Sequence, residues 1–286
     1  RRTTGLRREV RTFRAPRGIL SGGVMGTVKL LLRCRRSGLL PRLSNRLGDF
    51  VRTNSEALVG AGAKDRNADF SDHLSINSGI YPDDDTHVEV VRFARGSALM
   101  GLITTLLTDG GGRMPRPVRF LGTVARHPMD FLRDLNPVGW GARTPILLAM
   151  QTTDSHMQMD YRPRWYRLGG CSMNTRLAPG AAPIPSYIPV ANEIARRLAE
   201  RIDGRPVSSW PEVLLDVPTT AHILGGAVMG ETPGQGVVGF DGQVHGYPGL
   251  YVVDGSNVPV NLGVKTKPTI TAMAETVMEQ VPEKES

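Results

Sequence analysis

One stretch near the carboxyl end, residues 222–281, limits the possible folds more than any other part of the chain. Residues 250–253 (LYVV) form a short apolar run stopped by Asp254 and Gly255, which predicts a buried strand. A glycine-rich crossing follows, and Pro268 suits the first turn of a helix. Apolar residues then recur at helical spacing, at Ile270, Met273, Ala274, Val277, Met278 and Val281. A strand that leads through a loop to a helix N-terminus indicates an α/β unit able to bind an anion or a polar cofactor.

His222 begins this stretch and is followed by Gly225 and Gly226. Glycine permits positive φ angles and close contact, so we expect the histidine to lie beside tightly approaching backbone. Taken alone, such a histidine is more often structural than catalytic. The surrounding motifs decide between these two interpretations.

The motifs occur in a fixed order: H-x-x-G-G at 222–226, V-x-G-x-x-x-L-Y-V-V-D-G-S-x-x-P at 244–259, G-V at 263–264 and T-I-T-A-x-A-E at 269–275. This order resembles the C-terminal signature of the glucose–methanol–choline (GMC) oxidoreductases, most closely their cholesterol-oxidase-like branch. The resemblance covers nearly all of residues 10–286 and is strongest over 218–279. It implies FAD as the cofactor, and oxidation of a sterol or another bulky secondary alcohol to the ketone.

The resemblance also implies a mixed α/β (α+β) fold in two domains. Residues 1–51 and 235–286 would belong to an FAD/NAD(P)-binding Rossmann-like domain, and residues 52–234 to a substrate-binding domain with a mixed or antiparallel sheet and helices. The first domain is expected to be partial, because no strand–GxGxxG–helix fingerprint is present. Residues 234–239 match that spacing, but no strand precedes them and no helix pattern follows. We therefore expect a C-terminal fragment of a flavoenzyme.

The resemblance assigns His222 as the catalytic acid–base residue, which hydrogen-bonds the substrate hydroxyl near the flavin. Members of the family carry asparagine as its partner in G-V-Asn-Pro, whereas this chain has Lys265 in GVKTKP. Lysine donates hydrogen bonds and cannot accept them. Lys265 therefore either favours an anionic reduced flavin or alkoxide, or abolishes turnover. The second outcome would make the chain an inactive relic or an apolar-ligand-binding protein.

Glu89 is the third candidate catalytic residue. Residues 87–93 (HVEVVRF) predict a strand whose alternation places His87, Glu89 and Val91 on one face. A buried carboxyl group there suits general acid–base chemistry, whereas an ion pair with Arg92, Arg95 or another cation is the structural alternative. The resemblance implies that this glutamate moves a proton in a double-bond shift.

Two glycine turns and one loop are the candidate cofactor-binding segments. Gly22 and Gly23 end a predicted strand over 10–21, and a helix is predicted from Thr27. The residues alone fit an ordinary turn there, but the resemblance places it beside the dinucleotide. It also implies that Asp254 and Gly255 lie along the phosphate and ribityl chain, and that main-chain N–H groups of the next loop face the flavin ring. The expected cofactor-binding residues of that loop are Gly263, Val264 and Thr266.

Composition narrows the remaining possibilities. Residues 1–36 contain eleven Lys and Arg against one acid, but no nucleic-acid-binding module accompanies them, so a solvated face is favoured. No apolar run reaches the roughly 18 residues of a membrane-spanning helix, and no secretory signal is recognisable, so a cytoplasmic location is expected. Cys34 and Cys171 form neither a disulfide framework nor a metal pattern. The resemblance implies an apolar alcohol and oxygen or another electron acceptor as partners.

Two further segments carry weaker predictions. Residues 98–108 (ALMGLITTLLT) predict a helix, and the resemblance implies that this segment lies over the substrate cavity. Asn54, Ser55 and Glu56 stand just before an apolar run, and they fit either a turn or the lining of the site.

Overall fold

The computed structural model describes residues 12–72, 74–163 and 170–281. Its largest element is a six-stranded sheet in which every neighbouring pair is antiparallel. In spatial order its strands are β3 (Ile76–Ile80), β4 (Thr86–Val91), β6 (Ile146–Gln151), β2 (Ala57–Ala63), β9 (Gly204–Ser209) and β5 (Thr104–Leu106). We call this element the large sheet.

The two faces of the large sheet bury different partners. Helix α5 (Pro189–Arg201) covers one face, where Val59, Val88 and Ala149 pack against its alanines. The opposite face carries Leu58, Val91 and Ile146. Side chains alternate along a strand, so His87, Glu89 and Val91 lie on this second face, as the sequence pattern predicted.

The segments of the expected cofactor domain form a smaller unit. Strand β1 (Gly18–Leu20) pairs in parallel with β10 (Leu250–Val252). Helix α1 (Gly23–Arg36) follows β1, and helix α7 (Lys267–Gln280) ends the described chain. We call these four elements the parallel unit. Its core includes Val28, Leu31 and Val252, which pack with Val51 and Ala227.

The remaining elements surround the large sheet. A hairpin of β7 (Met157–Pro163) and β8 (Cys171–Leu177) contacts α1 through β7. Helices α2 (Arg116–Arg126), α3 (Pro128–Asp134), α4 (Trp140–Arg143) and α6 (Trp210–Leu215) lie near β5, β2 and β9. Short 3₁₀ turns occupy Ala98–Ile103 and Gly255–Asn257.

Three local predictions were wrong. Residues 98–108 form a 3₁₀ turn and strand β5 rather than a helix, because Thr104 to Leu106 pair with β9 at the sheet edge. The predicted strand over 10–21 is limited, within the described residues, to Gly18–Leu20. Helix α1 begins at Gly23 and not at Thr27, since the Thr27 hydroxyl accepts a hydrogen bond from the Gly22 N–H inside the first turn.

Other predictions were confirmed. Strand β10 and helix α7 occur where the pattern placed them, with Pro268 in the first turn of α7. Residues 234–239 form the end of a turn, a bend and an isolated bridge at Val238, and the residues directly after them are not helical. Cys34 and Cys171 are both partly buried. Within the described ranges no helix has the length and apolarity to cross a bilayer. Residues 1–11, the first part of the basic segment 1–36, lie outside those ranges.

Candidate active site

The segment that carries His222 passes between two other backbone segments. Gly225 has a φ of +78°, and its N–H donates to the Gly255 carbonyl at 2.9 Å. A Cβ atom at Gly225 would lie 1.9 Å from the Phe50 carbonyl oxygen. At Gly226 the φ is +89°, and a Cβ atom would lie 2.8 Å from Val28. The glycine pair is therefore required by the close backbone approach predicted from the motif.

The hydrogen-bond partner of His222 is Glu56. His222 Nδ1 contacts Glu56 Oε1, and the other carboxyl oxygen accepts the Ala221 N–H at 2.7 Å. Glu56 is fully buried just before β2, and the histidine side chain is 13% exposed. A carboxylate can only accept, so this contact places the imidazole proton on Nδ1 and leaves Nε2 as an acceptor. Among the described residues, none hydrogen-bonds Nε2.

His222 forms part of the wall of an apolar cavity of about 320 Å³ on the second face of the large sheet. That volume lies within the range of small-molecule sites, roughly 300–1,000 Å³. Aliphatic and aromatic side chains supply most of the wall, including Leu58, Val91, Phe93, Ile103, Trp140 and Leu148. A polar reacting group beside His222 would thus be bound within an apolar enclosure.

Glu89 lies on the same sheet face but is not one of the cavity-lining residues. It is 7% exposed, and its Oε1 lies 3.8 Å from His87 Nδ1. Its Oε2 is buried and, within the described chain, has no hydrogen-bond partner. Arg92 and Arg95 bind Asn77 and Asp69 instead, so the ion pairs considered with these two arginines do not form, and His87 is the one potentially cationic neighbour observed among the described residues.

Asn54 fixes the loop that follows the 3₁₀ turn at Gly255–Asn257. Its Oδ1 accepts the Leu262 and Gly263 N–H groups at 3.1 and 2.9 Å, and its Nδ2 donates to the Val264 carbonyl at 2.9 Å. Asn54 is fully buried and adopts a φ of +60°, which asparagine tolerates better than most residues. The loop conformation is therefore set by a residue more than two hundred positions away.

Lys265 lies in this loop and is partly buried. Within the described ranges it has no ion pair or hydrogen bond, and no contact joins it to His222. The sequence placed Lys265 in the partner position, whereas the partner observed for His222 is Glu56. The catalytic role of Lys265 stays a prediction.

The backbone around the candidate cofactor segments fits an acceptor-rich ligand. In the described structure, the N–H groups of Val264, Lys265 and Thr266 donate to no protein acceptor. The Asp254 side chain is already used, because it accepts from Thr27 Oγ1 at 2.5 Å and from the Ser256 N–H at 2.8 Å. This leaves the main chain as the group available to a ligand at Asp254.

Gly22 and Gly23 lie at the carboxyl end of β1, and Asp254 and Gly255 follow the carboxyl end of β10. In open parallel sheets, ligands bind outside this end of the strands. A Cβ atom at Gly23 would meet nothing within 4 Å, so the turn is open. The Gly22 N–H already donates to Thr27 Oγ1, whereas the N–H groups of the 264–266 loop have no protein acceptor in the described structure. Main-chain N–H groups without a protein acceptor suit the oxygen atoms of a cofactor such as FAD.

A second, more polar cleft of about 600 Å³ lies around the far end of β2 and does not include His222. Five cationic residues line it, and three of them pair with acids: Lys64 with Asp203, Arg133 with Asp130, and Arg205 with Asp134. Burial raises the pKa of Asp134 despite the charge of Arg205. Because this cleft lacks the His222–Glu56 pair, we place the candidate active site at the apolar cavity.

Sequence reasoning missed the roles of Glu56 and Asn54. Both were noticed as polar residues before an apolar run, but their partners lie 166 and more than 200 residues away. No local spacing records such contacts. The one available signal is the composition of N-S-E itself, three polar residues that become fully buried at the start of a core strand.

The comparisons with known proteins agree with the motifs. The family model described as GMC oxidoreductase matches residues 185–274. A cholesterol oxidase of Mycobacterium tuberculosis is 42% identical over 281 residues, covering 94% of this chain and 47% of the relative. One from Acinetobacter baumannii is 38% identical, covering 96% of this chain and 49% of the relative. The chain thus spans about half the length of these curated relatives.

Solved structures also match, although at low sequence identity. Pyridoxine 4-oxidase from Mesorbium loti is 15% identical with a TM-score of 0.47, over 93% of this chain and 51% of that one. The motif order, the family model and the identity to curated relatives lead to one assignment. Residues 185–274 match the C-terminal domain of the GMC oxidoreductases, and the chain is similar to cholesterol oxidases of that FAD-dependent family.

Proposed function

We propose that this chain supplies the substrate cavity and the acid–base histidine of an FAD-dependent oxidoreductase. Its substrate would be a sterol or a similar bulky secondary alcohol, which it converts to the ketone, with oxygen or another acceptor taking up the electrons. The observation that carries the proposal is the position of His222. A carboxylate-held imidazole forms part of the wall of an otherwise apolar cavity. The names of the relatives support the choice of a sterol.

His222 and Glu56 would handle the proton of the alcohol, and the hydride would pass to FAD. His222 Nε2 accepts the hydroxyl proton of the alcohol, and Glu56 stabilises the imidazolium that results. FAD, when bound, supplies the acceptor for the hydride that leaves the carbinol carbon. Loss of this proton and this hydride converts the C–OH group into C=O. The apolar wall excludes water and strengthens the electrostatic interactions within the site.

Two further residues have proposed roles in this reaction. Lys265 would favour negative charge on the oxidised alcohol oxygen or on the reduced cofactor, because its ammonium group has no ion-pair partner among the described residues. Glu89 would move a proton if a double-bond shift accompanies oxidation. Its unpartnered buried oxygen on the cavity face of the sheet supports that role.

The cofactor would be held mainly by main-chain groups. Gly22, Gly23, Asp254 and Gly255 would lie along its phosphates and ribityl chain. Gly263, Val264 and Thr266 would face the flavin ring. A Cβ atom at Gly263 would lie 2.5 Å from Thr152, so the loop requires glycine there for packing as well.

The test uses the protein expressed from its complete gene. Its visible absorption spectrum is recorded before and after anaerobic addition of a 3β-hydroxysteroid. We expect a flavin band that bleaches. A protein without flavin would overturn the oxidoreductase proposal, and a bound flavin that no bulky alcohol bleaches would overturn the choice of substrate class.

One observation favours a second candidate, an apolar-ligand-binding protein without redox activity. Lys265 stands where the family carries a neutral amide, and a cation there can abolish turnover. Steroid binding to the purified protein, followed by tryptophan fluorescence because Trp140 lines the cavity, would occur under both candidates. Only bleaching of the flavin separates them.

A further inference from the structure

Glu212 is a buried carboxyl group that the proposed reaction does not use. It lies in the first turn of α6 and is fully buried. Its Oε1 accepts the Leu58 N–H at 3.0 Å and the Thr219 hydroxyl. Its Oε2 is also buried and has no hydrogen-bond partner in the described part of the chain. A buried polar atom without a partner is costly, so its retention requires an explanation.

The contacts of Glu212 run parallel to those of Glu56. Glu56 links the start of β2 to residues 221 and 222 through the Ala221 N–H and the imidazole. Glu212 links β2, at Leu58, to the same segment at Thr219. Between these contacts, the Thr220 hydroxyl donates to the Thr53 carbonyl at 2.8 Å. Residues 219–222 are thus held against β2 and the residues before it, with one buried carboxyl group at each end.

We propose that Glu212 is a positioning residue that fixes the 219–222 segment, and with it the His222 imidazole, against strand β2. This inference rests on the proposed function of His222 and deepens it. Glu212 acts through Thr219 and Leu58 and not by contact with the substrate. Loss of its acceptor oxygen frees Thr219, three residues before the histidine.

The protonation of Glu212 affects this contact near neutral pH. Burial raises the pKa of Glu212 to about 7, although its hydrogen bonds with Thr219 and the Leu58 N–H, and the charge of Arg116, act in the opposite direction. A neutral carboxyl group keeps an acceptor for both donors. An ionised one leaves negative charge on the unpartnered Oε2, so we expect the segment to change its environment as the pH rises through about 7.

The groups that face Glu212 supply little compensation for that charge. Arg116 of α2 donates to the main-chain oxygen of Glu212 at 3.0 Å, and within the described residues no cation lies within ion-pair distance of the carboxyl group. Ser209 of β9 and the Leu58 N–H of β2 are neutral. Asp216, directly after α6, accepts a hydrogen bond from the Ser186 hydroxyl. The titratable groups of the adjoining segment are Glu56 and His222.

The test follows the amide resonances of Leu58 and Ala221 by NMR across pH 5–9 in the full chain, with neither flavin nor steroid. Glu212→Gln keeps an acceptor oxygen and cannot ionise, and Glu212→Ala removes both oxygens. Glu193→Gln, on the exposed face of α5, is the matched control. In the wild type and in the control we expect an inflection at about pH 7 in both resonances. In Glu212→Gln we expect no inflection at Leu58, whose N–H donates directly to this carboxyl group, whereas Ala221 also adjoins the titratable pair of Glu56 and His222.

For Glu212→Ala we expect the Ala221 amide to exchange with deuterium at least about tenfold faster than in the wild type, relative to a β6 amide. A pH inflection at Leu58 that persists in Glu212→Gln would overturn the proposal, as would unchanged Ala221 exchange in Glu212→Ala. If Glu212→Ala does not fold, the Glu212→Gln titration decides alone. Because the readout needs no redox chemistry, failure of the proposed oxidation would leave this result standing.

Discussion

The large sheet and the parallel unit lie in the same chain but reach very different degrees of burial. Strand β6, at the centre of the large sheet, is buried along nearly its whole length, and Ala149 and Met150 are inaccessible to solvent. In the parallel unit, Ile19 of β1 is 44% exposed, and α7 has one buried residue, Val277. An antiparallel sheet with a helix packed on one face buries much of its apolar surface by itself. A pair of parallel strands with three residues in each does not, because parallel sheets are normally covered on both faces.

The two regions meet at residues 48–55, 222–226 and 255–263. Hydrogen bonds at this junction join Gly225 to Gly255, Asn54 to Gly263 and Arg52 to Leu224. The candidate catalytic histidine thus lies where the large sheet and the parallel unit are joined by main-chain contacts. Changes at the junction should therefore cost more than changes on the outer surface of the parallel unit.

The largest effect is expected for Gly225→Ala. Its Cβ atom would collide with the Phe50 carbonyl, and its φ of +78° is unfavourable for alanine, so the free energy of unfolding should fall by about 4 kcal/mol. Gly180→Ala is the matched control, because Gly180 has a φ of +76° but open space around it. The control should lose about 1 kcal/mol. Denaturant unfolding of both variants measures the difference, and equal losses would show that the backbone approach is unimportant.

The second prediction concerns the pH dependence of stability. Glu212 has a pKa of about 7 in the folded chain against 4.5 as the unperturbed value, so the folded state keeps a proton that the unfolded state has lost. The contribution of Glu212 to the free energy of unfolding is fully present below pH 4.5 and is lost as the pH rises through 7. The total loss in the free energy of unfolding is about 3 kcal/mol. Thermal unfolding of Glu212→Gln between pH 4.5 and 8 should show a smaller decline than the wild type. Identical pH profiles would contradict the raised pKa.

The third prediction tests the partner of the histidine. Glu56→Gln should lower the rate of flavin reduction by about 10²-fold. The glutamine amide has one acceptor oxygen, so it cannot replace both carboxylate oxygens, which accept from the Ala221 N–H and from His222. Stopped-flow absorbance of the complete protein measures this rate. Glu275→Gln on the exposed face of α7 is the control and should be unaffected. A wild-type rate of flavin reduction in Glu56→Gln would show that Glu56 does not support the action of His222.

The smallest effects are expected on α7. Val277→Ala should cost about 1.5 kcal/mol because Val277 packs against Tyr251 and Val253, whereas Met278→Ala should change stability by less than about 0.5 kcal/mol. Denaturant unfolding of the 286-residue chain compares the two. A large loss for Met278→Ala would show that this face of α7 is packed, and that the two regions differ less than their burial indicates.

Local patterns predicted much of the fold correctly. Gly225 and Gly226 indicated a close backbone approach, and the valines of β4 placed Glu89 on the correct sheet face. The Leu-rich segment 98–108 misled, because apolar periodicity cannot show that Thr104 to Leu106 would find a partner strand about a hundred residues later. The contacts of Glu56, Asn54 and Glu212 depend on tertiary structure in the same way. The domain boundaries at 51/52 and 234/235, and the roles of the individual site residues, stay predictions.

The central claim is that His222, held by Glu56 in the wall of the apolar cavity, takes the proton of a bulky secondary alcohol. Its most direct test is the anaerobic rate of flavin reduction by a 3β-hydroxysteroid in the complete protein and in its His222→Gln variant. We predict that flavin reduction is slower by roughly 10²–10⁴-fold in His222→Gln, with the affinity for the steroid little changed. An unchanged rate of reduction in His222→Gln would contradict it.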